Sequence, residues 1–155
     1  MERFVVRRAA LEDAAALCAL HKASVRGLCI GAYSAQQIEA WLGGRTPDGF
    51  RWAMTDGGET MFVVERRGCL AGFASTKDAT LMGLYVDPDR GRGAGRVLLP
   101  TVEDHVRCHG VTVLCLPATL NAVPFYRRHG YSADRPSVVL RGGVRLPVVE
   151  MSKAL

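Results

Sequence analysis

The stretch "LYVDPDRGRGAGRVLL", residues Leu84–Leu99, passes from an apolar segment through glycines and arginines into a second apolar segment. A strand that turns through glycines into a helix presents unpaired main-chain N–H groups and the positive end of the helix dipole, and phosphates bind there. Gly91, Gly93 and Gly95 let the main chain approach a ligand closely. The arginines that add charged donors are Arg90, Arg92 and Arg96. The stretch therefore predicts either a phosphate cradle or a tight turn with solvated arginines.

Two common phosphate-binding motifs do not fit this stretch. The P-loop pattern GxxxxGK[ST] needs a lysine that is missing here. The dinucleotide pattern GxGxxG fails because Arg96 occupies the last glycine position, and Cys115 and Leu116 stand where an acidic residue is expected. A nucleoside-triphosphate or dinucleotide site is thus disfavoured, and the residues alone leave the cradle and the turn open.

The bulk composition indicates one globular domain over residues 1–155. The chain is 48% hydrophobic and 23% charged, with a net charge of +5, which is ordinary for a folded protein. No apolar run approaches the roughly 20 residues of a membrane helix. The N-terminal segment carries Glu2, Glu12 and Asp13 and does not resemble a signal peptide. We expect a cytoplasmic protein without a membrane partner.

The cysteines and histidines suggest no metal centre. The five cysteines are an odd set without a CxxC pair, which favours buried free thiols over disulfides or a metal site. His105 and His109 lie one helical turn apart but lack a third ligand. We therefore expect no bound metal. The cysteines are Cys18, Cys29, Cys69, Cys108 and Cys115.

Hydrophobic periodicity gives an element order of βααβββαβαββ. Ser34 and Gln37 form a capping-box pattern at the second helix, and Pro100 should kink the long helix after the glycine stretch. The Gly/Pro-rich segment Gly43–Thr60 is predicted to be a long functional connection. The expected strands are Arg3–Ala9, Met61–Arg67, Leu70–Lys77, Thr80–Val86, Val111–Leu116 and two more within Ser137–Met151. The expected helices are Leu11–Val25, Ser34–Leu42, Gly93–His109 and a short one in Asn121–Gly130 capped by Asn121. This order predicts an α/β (α+β) fold with a single mixed, mostly antiparallel sheet flanked by helices.

Two motifs in this order resemble a known superfamily. The segment "RGRGAG", Arg90–Gly95, matches the [QR]xxGx[GA] signature of the GNAT superfamily of acetyl-CoA-dependent N-acetyltransferases. The segment "LNAVPFYRRHGY", Leu120–Tyr131, resembles that superfamily's second recurring segment, and the likeness extends along essentially the whole chain. One departure is that many members carry a glutamate on the strand before the loop, where this chain has Thr80, Met82 and Gly83.

The resemblance implies acetyl-CoA as co-substrate and an acyl-CoA N-acyltransferase fold. In that fold, the strands ending at Val86 and near Leu116 splay apart, and the pantetheine arm pairs with the main chain of Leu84, Tyr85 and Val86. A main-chain N–H of Leu84 or Tyr85 would donate to the thioester oxygen. The resemblance assigns the pyrophosphate to the loop residues Arg90, Gly91, Arg92, Gly93, Ala94, Gly95 and Arg96.

The resemblance also proposes roles around the reacting atoms. Tyr126 becomes the acid that protonates the leaving sulfur, with a half-buried core aromatic as the alternative. Asn121 either caps its helix alone or also binds the cofactor arm. The base is left open among Glu65, Asp78, Glu39 and a water chain, because none stands out.

These inferences predict an N-acetyltransferase acting on an amine acceptor that the sequence does not identify. One alternative is a non-catalytic acetyl-CoA-binding sensor. Another is a basic nucleic-acid-binding module, which is disfavoured because the aromatics, 7% of the chain, are not interleaved with the arginines. The sequence leaves open the oligomeric state, including a homodimer, and the use of acyl groups other than acetyl.

Overall fold

Seven strands form one sheet in the computed structural model, which describes residues 3–155. The strands are β1 (Val5–Arg8), β2 (Thr60–Arg66), β3 (Cys69–Lys77), β4 (Thr80–Val86), β5 (Val113–Thr119), β6 (Ser132–Arg141) and β7 (Val144–Ala154). The α-helices are α1 (Ala14–Leu28), α2 (Ala35–Leu42), α3 (Pro47–Met54), α4 (Ala94–Cys108) and α5 (Val123–Arg128). The strand order is β1-β2-β3-β4-β5-β7-β6. The predicted fold class, a mixed and mostly antiparallel sheet flanked by helices, is confirmed.

At the centre of the sheet, strands β4 and β5 share fewer paired residues than any other two neighbouring strands. Strands β4 and β5 are the parallel pair, and their register is a single pair, Thr80 with Cys115. The Cys115 N–H donates to the Ala79 carbonyl oxygen at 3.0 Å, and beyond this point the two strands separate. All other neighbouring strands pair antiparallel along most of their length. The predicted splay of the two strands is therefore present.

The alternation of side chains along the central strands builds a core on each face of the sheet. On β2, Val63 packs with α1 and α3, whereas its neighbour Val64 packs with α4. On β3, Phe73 packs on the face with α1 and α3, and its neighbour Ala74 packs on the face with α4. Helices α1 and α3 therefore cover one face, and α4 covers the other. This arrangement brings the N-terminus of α4 to the open end of the β4–β5 seam.

The long connection predicted over Gly43–Thr60 is wrong in one respect, because it contains helix α3. The Thr46 side chain accepts a hydrogen bond from the Gly49 N–H at 3.1 Å, and Pro47 occupies the first turn, where a proline is favoured. Glycine and proline thus mark the boundary of a helix here. The α3 helix places Phe50 in the core and Trp52 on the surface.

Other boundaries also differ from the sequence prediction. The C-terminal hairpin extends over Ser132–Ala154 rather than Ser137–Met151. Helix α4 continues through Pro100 to Cys108. The predicted capping box at α2 is confirmed, with the Gln37 N–H donating to Ser34 Oγ at 3.1 Å and the Ser34 N–H donating to Gln37 Oε1 at 2.9 Å.

All five cysteines are free thiols, as predicted, but only Cys18 and Cys29 are buried. The prediction of buried thiols is wrong for the others, Cys69, Cys108 and Cys115, which are exposed. Residues 3–155 contain no cluster of three or more side chains suited to hold a metal ion. None of the helices within that range is long and apolar enough to cross a membrane.

A buried ion pair fastens α4 to the last strand. Glu103, 7% exposed, accepts a hydrogen bond from the Tyr131 hydroxyl at 2.8 Å and from Lys153 Nζ at 2.9 Å. The Tyr131 ring also lies beneath the ammonium, 5.6 Å from its centroid. Because the carboxylate is buried, both partners are needed to offset its lost hydration.

We expect Lys153→Met to lower the free energy of unfolding by about 2 kcal/mol, since it leaves a buried carboxylate with one neutral donor. Arg107→Met is the matched control on the same helix, where Arg107 pairs with Asp104 on the surface at 2.7 Å. That control should cost less than about 0.5 kcal/mol. Urea unfolding measures both, and equal effects would show that burial of Glu103 does not matter.

Candidate functional site

A groove of about 480 Å³ opens where β4 and β5 separate. Two of its walls are the glycine stretch and helix α5, and its third wall is the C-terminal half of α1. The predicted residues that line it are Leu84, Tyr85, Val86, Gly91, Arg92, Gly93, Gly95, Arg96, Asn121 and Tyr126. Lining residues that the sequence did not suggest are Ser24, Leu28, Cys29, Thr119, Ala122, Phe125 and Arg128.

Unpaired main-chain groups on β4 face this groove. The Asp87 N–H donates to the Ala71 carbonyl oxygen at 2.8 Å, in register with the β3–β4 ladder. Hydrogen-bonded pairs alternate along an antiparallel ladder, so Tyr85 directs its N–H toward β3. Leu84 and Val86 direct theirs toward the missing β5 neighbour. Of the two predicted thioester donors, Leu84 therefore has the required direction and Tyr85 does not.

The glycines of the loop permit close packing rather than flexibility. A Cβ on Gly91 would lie 2.5 Å from the Asp87 carbonyl oxygen and 2.6 Å from that of Ala71. A Cβ on Gly95 would lie 2.9 Å from the Phe125 ring. Gly93 has φ of 88° and stands at the N-cap of α4, where no side chain caps the helix. Apart from the Ala94 N–H, which donates to the Gly91 carbonyl oxygen at 2.9 Å, the N–H groups of the first turn of α4 have no cap and are left to the groove.

The arginines of the loop divide between the groove and the surface. Arg92 and Arg96 are exposed and line the groove, and Arg128 of α5 joins them from the opposite wall. Arg90 does not line it, because its guanidinium lies 3.6 Å from the Asp87 carboxylate. Ala94 does not line it either, since its side chain is buried and its N–H donates to the Gly91 carbonyl at 2.9 Å.

Asn121 lies at the groove, but it does not cap α5. The residue belongs to a 3-10 turn, Leu120–Ala122, and the N-cap of α5 is Ala122. The prediction of Asn121 as the helix cap is therefore wrong, although Pro124 does fall in the first turn as expected. The Asn121 side chain instead hydrogen-bonds the Cys29 thiol, whose pKa burial raises to about 11.

Tyr126 projects from α5 toward the same groove. Its side chain is 6% exposed and packs between the rings of Phe125 and Tyr131, at centroid distances of 5.2 and 5.6 Å. Burial raises the pKa of Tyr126, so the phenol keeps its proton at neutral pH. Its hydroxyl makes no hydrogen bond within residues 3–155, which leaves it free to bond a ligand.

A second cavity, of about 290 Å³, lies on the other side of Tyr85. Tyr85 lines both spaces. The further aromatic groups of the second cavity are His21, Phe50, Trp52 and Phe73, and its charged groups are Glu59, Arg45 and Arg141. The groove and this cavity could thus hold two reactants that meet beside Tyr85. We call this second space the acceptor cavity.

Glu59 is a carboxylate that the sequence reasoning missed. It precedes β2, lines the acceptor cavity and accepts a hydrogen bond from the Ser75 hydroxyl at 2.5 Å. Ser75 is paired with Gly83 across the β3–β4 ladder, on the strand that lacks the usual glutamate. A carboxylate that precedes β2 thus lines the same cavity as Met82 and Gly83 of β4, through its bond to Ser75 on the intervening strand β3.

The carboxylates predicted as bases lie elsewhere. Glu65 accepts hydrogen bonds from Arg7, and Glu39 pairs with Arg26 on the surface. Asp78 occupies the exposed β3–β4 turn with φ of 52°. None of the three lines the groove or the acceptor cavity. No sequence motif marks Glu59, because a side-chain bond to Ser75, which pairs with Gly83 across the β3–β4 ladder, connects it to this region.

His21 is a buried imidazole at the wall of the acceptor cavity. It is 3% exposed, and its ring lies edge-on to Tyr85 with centroids 4.4 Å apart. Its Nδ1 has no hydrogen-bond partner among the described residues. Burial, aided by the charges of Arg45 and Arg141, lowers the pKa of His21 to about 3. The ring is therefore neutral at physiological pH.

Comparison with known proteins places this fold and site in a family. A model of the acetyltransferase (GNAT) domain matches residues 29–155. The chain belongs to the GNAT family. The crystal structure of a GCN5-related N-acetyltransferase from Rhodopseudomonas palustris is 32% identical, with a TM-score of 0.90, over 97% of this chain and 95% of that one. No curated protein matched the chain.

Two acetyltransferase structures of lower identity share the fold and contain coenzyme A or acetyl-CoA. The PaiA N-acetyltransferase of Thermoplasma acidophilum, in complex with coenzyme A, is 20% identical with a TM-score of 0.79, over 99% of both chains. The putative acetyltransferase YncA of Salmonella typhimurium, with acetyl-CoA, is 24% identical with a TM-score of 0.72, over 98% of this chain and 94% of that one.

The lowered pKa of His21 predicts an acid-sensitive fold. Between the ordinary pKa of histidine near 6.5 and the folded value of about 3, the unfolded chain binds a proton that the folded protein does not. Stability should therefore fall with falling pH, by up to about 1.4 kcal/mol per pH unit. His21→Phe should remove this slope between about pH 6 and about pH 4.5. Urea unfolding of the wild type and of His21→Phe across that pH range tests this prediction. Equal slopes of the unfolding free energy against pH in the two proteins would contradict it.

Proposed function

We propose that this GNAT protein is an enzyme that transfers an acetyl group from acetyl-CoA directly to an amine. The observation that carries the proposal is the β4–β5 splay, which leaves the N–H groups of Leu84 and Val86 unpaired beside the glycine loop. Buried main-chain groups need partners, and an extended, amide-containing arm can supply them. The comparison structures that contain coenzyme A or acetyl-CoA support the choice of ligand.

The residues present fit that ligand at each part of the groove. The close approaches at Gly91 and Gly95 keep the loop free of side chains, so that the N-terminal N–H groups of α4 can bind a diphosphate. Arg92, Arg96 and Arg128 can pair with its negative charge. Asn121, exposed at the wall, can bond the amide-bearing arm. Bound acetyl-CoA supplies the activated acetyl group as a thioester.

Two groups of the protein would act on the thioester itself. The Leu84 N–H can donate to the thioester oxygen as negative charge develops there, an interaction worth about 3 kcal/mol of barrier in comparable sites. The Tyr126 hydroxyl can give a proton to the leaving sulfur. Burial raises the pKa of Tyr126, so the phenol carries that proton at neutral pH.

Glu59 is the base that the geometry favours. An aliphatic ammonium has an ordinary pKa near 10.4 and must lose a proton before it can attack. Glu59 lines the acceptor cavity, and the Ser75 hydroxyl fixes its position from one side. Its carboxylate can take the proton directly or through a water. Glu65, Asp78 and Glu39 lie outside both spaces and are not retained.

Tyr126→Phe should lower kcat at least about tenfold and leave acetyl-CoA affinity unchanged, because only the proton donor is lost. Release of the free thiol with an amine panel measures turnover, and calorimetry measures cofactor affinity. Tyr131→Phe is the matched control, since its hydroxyl bonds Glu103 rather than facing the groove. Wild-type turnover in Tyr126→Phe would refute the acid. Acetyl-CoA binding without thiol release from any amine would instead indicate a sensor.

Glu59→Gln should lower kcat/KM about a hundredfold at neutral pH. The ratio of wild-type to variant kcat/KM should shrink as pH rises toward the pKa of the free amine, because the neutral amine then no longer needs a base. Asp78→Asn is the control, an exposed carboxylate of the same sheet that lines neither space. If both variants kept the wild-type pH profile, Glu59 would not be the base.

A further inference from the structure

The acceptor cavity holds an excess of positive charge. Arg45 follows α2 and Arg141 ends β6, and both line the cavity with Glu59 as the one carboxylate among its lining residues. Arg141 donates a hydrogen bond to the Leu140 carbonyl at 2.9 Å, and Arg45 makes no side-chain bond within residues 3–155. Neither guanidinium is paired with a carboxylate in that range. The lining of the cavity therefore carries two cationic side chains and one carboxylate.

The field of these arginines reaches into the cavity. Both lower the pKa of His21, a buried group of the cavity wall. The imidazole is neutral and so does not offset their charge, and its Nδ1 is also unpartnered among the described residues. The cavity thus offers two guanidinium groups without a carboxylate partner among residues 3–155 and a neutral polar group, with aromatic rings among its lining.

From this arrangement we infer that the acceptor is a small amino acid-like molecule, whose carboxylate is bound by Arg45 and Arg141 and whose amine faces Glu59. The inference rests on the proposed acetyl transfer. A guanidinium fork matches a carboxylate in shape and charge, and the Glu59 carboxylate is the complementary partner of an ammonium. A zwitterion satisfies both ends, whereas a polyamine leaves the arginines unpaired and is repelled by them.

The dimensions and walls of the cavity restrict the rest of the molecule. A volume of about 290 Å³ is at the lower end of the range for small-molecule sites, roughly 300–1,000 Å³. Phe50, Phe73 and Trp52 present apolar surface, and Trp52 is 60% exposed at the rim. The side chain of the acceptor is therefore apolar or aromatic. We expect the carboxylate of the acceptor to contribute more to its affinity for the cavity than a long flexible side chain would.

The test compares each common L-amino acid with two relatives, the amine that lacks the carboxylate and the amide that neutralises it. With the wild-type enzyme and acetyl-CoA, thiol release should be fastest with an apolar or aromatic amino acid such as L-phenylalanine. We expect phenethylamine and L-phenylalaninamide to have KM values at least about tenfold higher, the equivalent of about 1.4 kcal/mol. Calorimetric titration of L-phenylalanine into the coenzyme A-loaded protein gives the same comparison without turnover.

The arginine variants assign the effect to the cavity. Arg45→Gln and Arg141→Gln should each raise KM for the amino acid about tenfold, and neither should raise KM for phenethylamine, which has no carboxylate for a guanidinium to bind. Arg145→Gln is the matched control, because Arg145 lies on the same hairpin, is exposed and does not line the cavity.

The possible failures are distinguishable. If amines without a carboxylate, or polyamines, are acetylated as well as the amino acids, the carboxylate inference is wrong and the acetyl transfer stands. An unchanged KM for the amino acid in both arginine variants also overturns the carboxylate inference and leaves the acetyl transfer standing. If no member of the panel releases thiol, the proposed acetyltransferase function itself fails.

Discussion

The separation of β4 from β5 is the constraint on which the rest of the structure depends. The two strands share one register pair at Thr80 and Cys115, and beyond it the sheet gives up main-chain hydrogen bonds that it could have made. Such groups are costly when they are buried without partners. The antiparallel ladders on either side hold the gap open. The proposed ligand, which carries amide groups of its own, would supply the missing partners.

Two features beside the gap suit such a ligand: the uncapped N-terminus of α4 and the packing of α5 against it. Helix α4 begins at Gly93, beside the end of β4, and its N-terminal N–H groups have no side-chain cap. Gly95 lets Phe125 pack against the first turn of α4, since a Cβ there would lie 2.9 Å from the ring. That contact holds α5, and with it Tyr126, against the loop. One packing contact thus connects the loop proposed to bind phosphate with the tyrosine proposed to donate the proton.

Tyr85 divides the two spaces in which the reactants are proposed to bind. Its N–H belongs to the β3–β4 ladder, and its ring packs edge-on against His21 on the acceptor side. Burial raises the pKa of Tyr85 to about 12, so the residue stays neutral and serves as a wall. The main-chain groups of its neighbours Leu84 and Val86 face the groove. One short strand thereby separates a groove lined by arginines from a cavity with aromatic walls.

The sequence by itself determined the elements whose signals are local: the capping box at Ser34, the strand–glycine–helix stretch around Gly93 and the Asn121–Tyr131 segment with Tyr126. It misjudged Gly43–Thr60, because Thr46 and Pro47 start a helix with the same residue types that mark loops. Only the tertiary structure decided which carboxylate lines the acceptor cavity. Glu59 accepts a hydrogen bond from Ser75, which strand register pairs with Gly83, whereas Glu65 and Glu39 are paired with arginines elsewhere. Register and ion pairing join residues distant in the chain, so no local pattern could reveal them.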